Sequence, residues 1–307
     1  MRIVVRAALT FLLMFALAGM SGLAPAFAQD ASDAPRQTNL RVSAVLGDAS
    51  APLRAGLHWR VFNARADADG AYALAGESTD AEPGFALPAG DYVVHVAFGL
   101  ASAIKRISLG DHEQSERVAL KAGALRITAT RGDTPIDAAR LALAVYVPER
   151  NNPQAKLVYS RAKAGDLVGL PEGGYHIVST YLDTSGVGSV GGAKAGGASG
   201  NAVVTNSIVA ADIKVASGKV LDLTLRHRYA TLTLKLVSAP GADAMANSSF
   251  TVLTPGGDLI RELIGAYPSL ALAEGEYIVI ARHDAKTFQS TFEVQSGLDH
   301  DVEVVAQ

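Results

Sequence analysis

The chain contains no cysteine. That absence removes disulfide staples, thiolate metal sites, cysteine nucleophiles and a lipid-modified cysteine from the available chemistry. An excess of one charge is missing too. The chain has 27 Lys and Arg against 30 Asp and Glu, a formal charge of −3, and so lacks the basic surplus of a nucleic-acid binder. Tryptophan occurs once, at Trp59, which weakens any reading as an aromatic carbohydrate platform. Beyond residue 28 no apolar run approaches the ~20 residues that cross a bilayer. No useful helical period follows that point, and neither HExxH nor GxSxG occurs.

What is present begins with a targeting segment. Arg2 and Arg6 precede the largely apolar run Ala7 to Ala18. Gly19, Ser21, Gly22 and Pro25 then interrupt it, and Ala26-Phe27-Ala28 supplies the small-x-small pattern of a signal-peptidase site. Residues 1–28 therefore read as a signal peptide cleaved before Gln29, with no membrane span remaining afterwards. Cleavage removes two Arg and no acid, moving the formal charge from −3 to −5. Residues 29–37 read as a polar tether.

The rest of the chain is one unit written three times. Leu87–Val94 (LPAGDYVV), Leu170–Val178 (LPEGGYHIV) and Leu272–Ile280 (LAEGEYIVI) share a frame. Each places a glycine two residues before a tyrosine, as Gly90/Tyr92, Gly173/Tyr175 and Gly275/Tyr277. Tyr92 to Ile107 and Tyr277 to Phe292 are both 15 residues, whereas Tyr175 to Ile213 is 38. The middle copy thus carries an insertion at about 183–205, and seven of the seventeen residues in 184–200 are glycine. The expected domains are 38–121, 122–227 and 228–307.

Each copy reads as short strands. Leu57, Trp59 and Val61 alternate with His58, Arg60 and Phe62, and Val302 and Val304 alternate with Asp301 and Glu303. A period of two implies one buried face. Turn dipeptides such as Asp69-Gly70, Ser217-Gly218 and Ser296-Gly297 separate the runs. The expected fold is all-β: three tandem Ig-like or prealbumin-like β-sandwich domains after an N-terminal signal helix. In the repeated string the tyrosine reads as a tyrosine corner, its hydroxyl bonding upstream backbone, and the glycine as the residue permitting the turn. These three copies resemble the transthyretin-like, carboxypeptidase-regulatory-like and PEGA-type β-sandwich modules of bacterial envelope proteins. That resemblance implies a non-catalytic module used for binding, spacing or display, with no catalytic residues to carry over.

Several local patterns invite chemistry, and each has a plainer account. The seven histidines, His58, His95, His112, His176, His227, His283 and His300, do not share repeat positions, so no metal site is expected. Asp67-Ala68-Asp69-Gly70 is half a calcium loop without its later ligands and reads as a hairpin turn. Gly186-Val187-Gly188-Ser189-Val190-Gly191 fits GxGxxG but lacks a following helix. Ser102-Ala103-Ile104-Lys105 and Ser160-Arg161-Ala162-Lys163 fit SxxK but lie in strand-like segments. Arg131-Gly132-Asp133 aligns with Leu46-Gly47-Asp48, which points to turn geometry. Phe62, Tyr146 and Leu253 share an outward repeat position and read as inter-domain contacts in preference to a modest ligand surface.

The expected function is that of an exported, periplasmic or secreted, non-enzymatic repeat protein, a binding or structural component of the bacterial envelope. Its expected partners are an envelope protein or polysaccharide, with no cofactor, metal or nucleic acid. The alternatives are a polysaccharide-binding accessory protein and an enzyme with a site between modules. The Gly-rich insertion is expected to project from one sandwich end and to be mobile or partner-facing.

Overall fold

A computed structural model of the chain describes residues 37–49, 51–184, 189–190 and 203–307. The expected signal peptide, all but the last residue of the tether and most of the Gly-rich stretch lie outside the described residues.

The first repeat contains β1 (Gln37–Leu46), β2 (Leu57–Ala66), β3 (Tyr72–Ser78), β4 (Gly84–Pro88), β5 (Gly90–Phe98), β6 (Ala101–Leu109) and β7 (Gln114–Leu120). One sheet has the order β4-β1-β7 and the other β3-β2-β5-β6. The second repeat contains β8 (Ala122–Arg131), β9 (Thr134–Pro135), β10 (Leu141–Glu149), β11 (Asn152–Ala162), β12 (Leu167–Pro171), β13 (Gly173–Asp183), β14 (Ser189–Val190), β15 (Val203–Val215) and β16 (Val220–His227). Its sheets are β12-β8-β16, with β9 paired to β8, and β11-β10-β13-β15. The third contains β17 (Tyr229–Val237), β18 (Ser249–Leu253), β19 (Leu259–Ile264), β20 (Ser269–Ala273), β21 (Gly275–His283), β22 (Lys286–Val294) and β23 (His300–Val305). These form β20-β17-β23 and β19-β18-β21-β22, and β14 from the second repeat joins the edge at β19. The chain is a tandem series of β-sandwiches. The single helical turn among the described residues is 3-10, Ala138–Arg140, with the Asp137 carboxylate accepting the Ala139 N–H.

Alternation sets which face is buried. Along β5, Tyr92, Val94, Val96 and Phe98 are buried, while Val93, His95 and Ala97 are only partly covered. Inward residues of β1, β2, β5 and β7, including Leu40, Trp59, Val94 and Leu120, share one core. Equivalent cores form around Ile127 and Ile177 in the second repeat and around Leu234 and Val279 in the third. In each repeat the first and last strands pair in parallel: β1 with β7, β8 with β16 and β17 with β23.

The sequence offsets become cross-strand register. Tyr92 pairs with Ile107, Tyr277 with Phe292 and Tyr175 with Ile213. The 15-residue spacing is therefore a tight hairpin, and the 38-residue spacing is the same hairpin drawn out. Its strands stay paired as far as Asp183 with Val203. No helix of the described residues is long and apolar enough to cross a membrane.

Candidate functional site

The three repeated tyrosines make one local structure. Each hydroxyl donates to the carbonyl four residues upstream: Tyr92 to Pro88 at 2.9 Å, Tyr175 to Pro171 at 2.9 Å and Tyr277 to Ala273 at 2.8 Å. Burial raises the pKa of all three phenols, which keeps them protonated donors. The glycines differ. Gly275 has φ +149°, a conformation that disfavours a side chain, whereas Gly90 and Gly173 do not have positive φ. A Cβ on those two would meet only the tyrosine ring, at ordinary contact distances of 3.7 and 3.8 Å.

The repeats meet without linkers. Only Lys121 separates β7 from β8, and only Arg228 separates β16 from β17. Both junctions use the same repeat positions. At the first, the turn at Leu46-Gly47 touches the turn at Ser217-Gly218, and the Leu100 N–H donates to the Gly169 carbonyl at 2.9 Å. A Cβ on Gly169 would fall 2.2 Å from both the Phe98 ring and its carbonyl oxygen, so only glycine lets these backbones approach. At the second junction Arg131 replaces Leu46. Its guanidinium donates to both oxygens of Asp299, at 2.9 and 3.1 Å. The Arg131-Gly132-Asp133 tripeptide thus belongs to the repeat contact. Tyr181, aligned with Phe98, stacks on Tyr229 with ring centroids 4.0 Å apart. Arg140 lies over the Tyr181 ring and Arg131 over the Tyr229 ring, at 4.9 and 5.0 Å.

The stem of the insertion deepens that second junction. Arg261 Nη1 donates to Asp183 Oδ2 at 2.8 Å, and the Ala271 N–H donates to the same oxygen at 2.9 Å. Both side chains are buried, 4% and 0% exposed. Asn206 completes the seam. Its amide donates to the Tyr277 hydroxyl at 2.8 Å and its oxygen accepts the Ala273 N–H at 2.9 Å. The stem at Asp183 and Asn206 is thus clamped to the third repeat, where Arg261 and the Ala271 N–H stabilise the desolvated carboxylate, while the expectation that the Gly-rich part projects and is mobile or partner-facing falls mostly outside the described residues. The central glycines lie outside the described residues. Asp183 and Arg261 were not singled out from sequence, yet a signal exists. In β19 Arg261 occupies the inward register with Leu263, and an inward arginine requires a buried acidic partner.

Other flagged residues have structural roles. Asp67 Oδ1 accepts the N–H groups of Asp69 and Ala71, at 3.0 and 2.8 Å, closing a hairpin turn. Lys105 pairs with Glu116 at 2.5 Å. His176 meets Asp212 at 2.8 Å, and buried His227 bridges the hydroxyls of Ser179 and Ser207 at 2.8 and 3.0 Å. Burial lowers the His227 pKa.

Phe62 corrects one expectation. Instead of making a repeat contact, it lies on the outer face of β3-β2-β5-β6 and lines an open cup of about 450 Å³ with Arg60, Tyr72, Val93, His95, Ile104 and Arg106. Tyr146 likewise faces His176 on its own sheet, ring centroids 6.4 Å apart. Both rings point outward as strand alternation requires, and the junction contacts described above are made by turns and strand ends instead.

Residues 231–306 match the family described as the Rhizobiales growth-associated tandem repeat domain. No curated protein matches the chain. Similar solved structures include the Bacillus anthracis TIE protein, 16% identical at TM-score 0.23, covering 88% of this chain and 51% of that one. The chain thus spans about half the length of the Bacillus anthracis protein. The Streptococcal ancillary pilin is 10% identical at TM-score 0.29, covering 88% and 99% of the two chains. A Bacteroides ovatus protein described as a putative cell adhesion protein is 11% identical at TM-score 0.31, covering 60% and 92%.

Proposed function

We propose that this chain is an exported, non-enzymatic structural or binding component of the bacterial cell envelope, acting as a stiff array of β-sandwich repeats. The observation that carries this reading is the pair of linker-free junctions built from equivalent positions. Such contacts hold successive repeats in a fixed relation, as a spacer or display element requires. The polar groups at the second junction are already engaged in holding the fold together, Asp183 with Arg261, His227 with two serines and Arg131 with Asp299. The signal-like segment at 1–28 supports export. The match of 231–306 to a growth-associated tandem repeat family supports the repeat architecture and a growth-associated role. The Tyr hydroxyl-to-carbonyl bond, made in every repeat, supports kinship with the carboxypeptidase-regulatory-like or PEGA-type modules. The domain limits at 38–121, 122–227 and 228–307 are part of the same proposal.

The test combines fractionation, N-terminal mass spectrometry and in-cell crosslinking of the full-length protein. Recovery from the envelope or exterior with Gln29 at the N-terminus, crosslinked to an envelope component, is the expected result. Recovery from the cytoplasm with residues 1–28 intact overturns it.

A further inference from the structure

The outer sheet faces of the three repeats differ where the fold does not require it. One row across each face comprises Phe62, Val93 and Arg106 in the first repeat, Tyr146, His176 and Asp212 in the second, and Leu253, Ile278 and Thr291 in the third. In the second repeat the row is closed on itself: Asp212 is bonded to His176 at 2.8 Å, beside the Tyr146 ring. The third row is uncharged. In the first, a cation stands at the position of Asp212, and no carboxylate of the described residues lies within ion-pair distance of Arg106. The adjoining row adds Arg60 and His95, paired across β2 and β5. Arg60 has one weak, half-exposed partner, Glu77 at 3.8 Å.

Between Arg106 and Arg60 the surface is largely apolar. Phe62 and Val93 form the floor of the cup, while Tyr72 and Ile104 are 50% and 68% exposed at its walls. Large apolar side chains left in water beside an unpaired guanidinium suit a ligand with both characters. The cup volume of about 450 Å³ suits a small molecule, for which sites run to roughly 300–1,000 Å³. The His95 pKa is lowered by burial and then by Arg60 and His58, which is consistent with a positive local field.

We propose that the cup of the first repeat binds a monomeric amphiphile, its acyl chain on Phe62 and Val93 and its anionic head on Arg106 and Arg60. This goes beyond the scaffold reading, which rests on the repeat junctions. The site is independent of them, so failure of either leaves the other standing.

The experiment titrates the full exported protein with dodecanoate below its micelle concentration, following backbone amide shifts of β2, β5 and β6 by NMR. A neutral dodecyl glucoside serves as control. Saturable shifts with dodecanoate, weak ones with the glucoside, and roughly tenfold weaker dodecanoate binding by Arg106→Gln are expected. Phe62→Ser should weaken both ligands. Arg106 is exposed, so R106Q should keep the wild-type melting temperature, and Arg60→Gln provides a second reading of the same charge. Equal binding of the two ligands, or dodecanoate binding indifferent to both R106Q and R60Q, overturns the proposal. So does Arg106-dependent binding to phosphatidylglycerol vesicles without binding of the monomer, which would make the patch a membrane contact.

Discussion

Changing Asp183 to Asn tests the clamp between the second and third repeats most directly. The substitution keeps the shape of the side chain and leaves an oxygen to accept the Ala271 N–H. It removes the charge facing Arg261, whose side chain is 4% exposed and whose Nη2 has no acceptor among the described residues. Removing one partner of a buried pair costs about 3–5 kcal/mol, because the remaining ion keeps its desolvation penalty. At roughly 2–4 °C per kcal/mol for a unit of 150–250 residues, Tm should fall by on the order of 10 °C. Circular dichroism during thermal and urea denaturation reads the loss. Hydrogen exchange should show faster opening of β13, β15 and β20 together. The double variant Asp183→Leu, Arg261→Met removes both charges and should be clearly more stable than Asp183→Asn. A single variant within about 1 kcal/mol of wild type would refute the reasoning, since the pair would then be behaving as a surface ion pair.

Four further outcomes follow from the geometry. Gly169→Ala places a methyl against the Phe98 ring and carbonyl and should destabilise the first junction by about 1–3 kcal/mol, read by urea denaturation. Tyr92→Phe should cost about 1 kcal/mol for its single hydrogen bond. Tyr277→Phe should cost more, because its hydroxyl also accepts from Asn206, and equal losses would show that this bond contributes nothing. The His227 pKa is depressed below 6.5 by burial, so the unfolded chain takes up that proton first as pH falls. Its stability contribution is complete above about pH 6.5 and is lost as pH drops through the folded pKa. His227→Gln should flatten that slope in urea melts at stepped pH. Ala285 sits at φ +64° in the β21–β22 turn, so Ala285→Gly should stabilise by about 1 kcal/mol; a lower Tm would contradict the strain.

Much of the fold is legible in the sequence because its signals are local. Leu57, Trp59 and Val61 are buried in alternation with His58, Arg60 and Phe62, since successive strand residues face opposite ways. The equal Tyr92–Ile107 and Tyr277–Phe292 spacings are hairpin registers fixed by turn length. The candidate sites are less legible. Phe62 is readable as outward, but whether an outward face meets a neighbouring repeat or water depends on how the sheets stack. Arg60, Tyr72 and Arg106 converge only because separate strands align side by side.

The missing cysteine shows the same division. By itself the sequence determined that each of three repeats must be held by alternating apolar strands and a Tyr hydroxyl bond, because period and turn chemistry act within a few residues. Only the tertiary structure decided that an insertion in the second repeat is fastened to the third. Asp183 and Arg261 are far apart in sequence, and their pairing is enforced by desolvation, which exists only once the two repeats have packed.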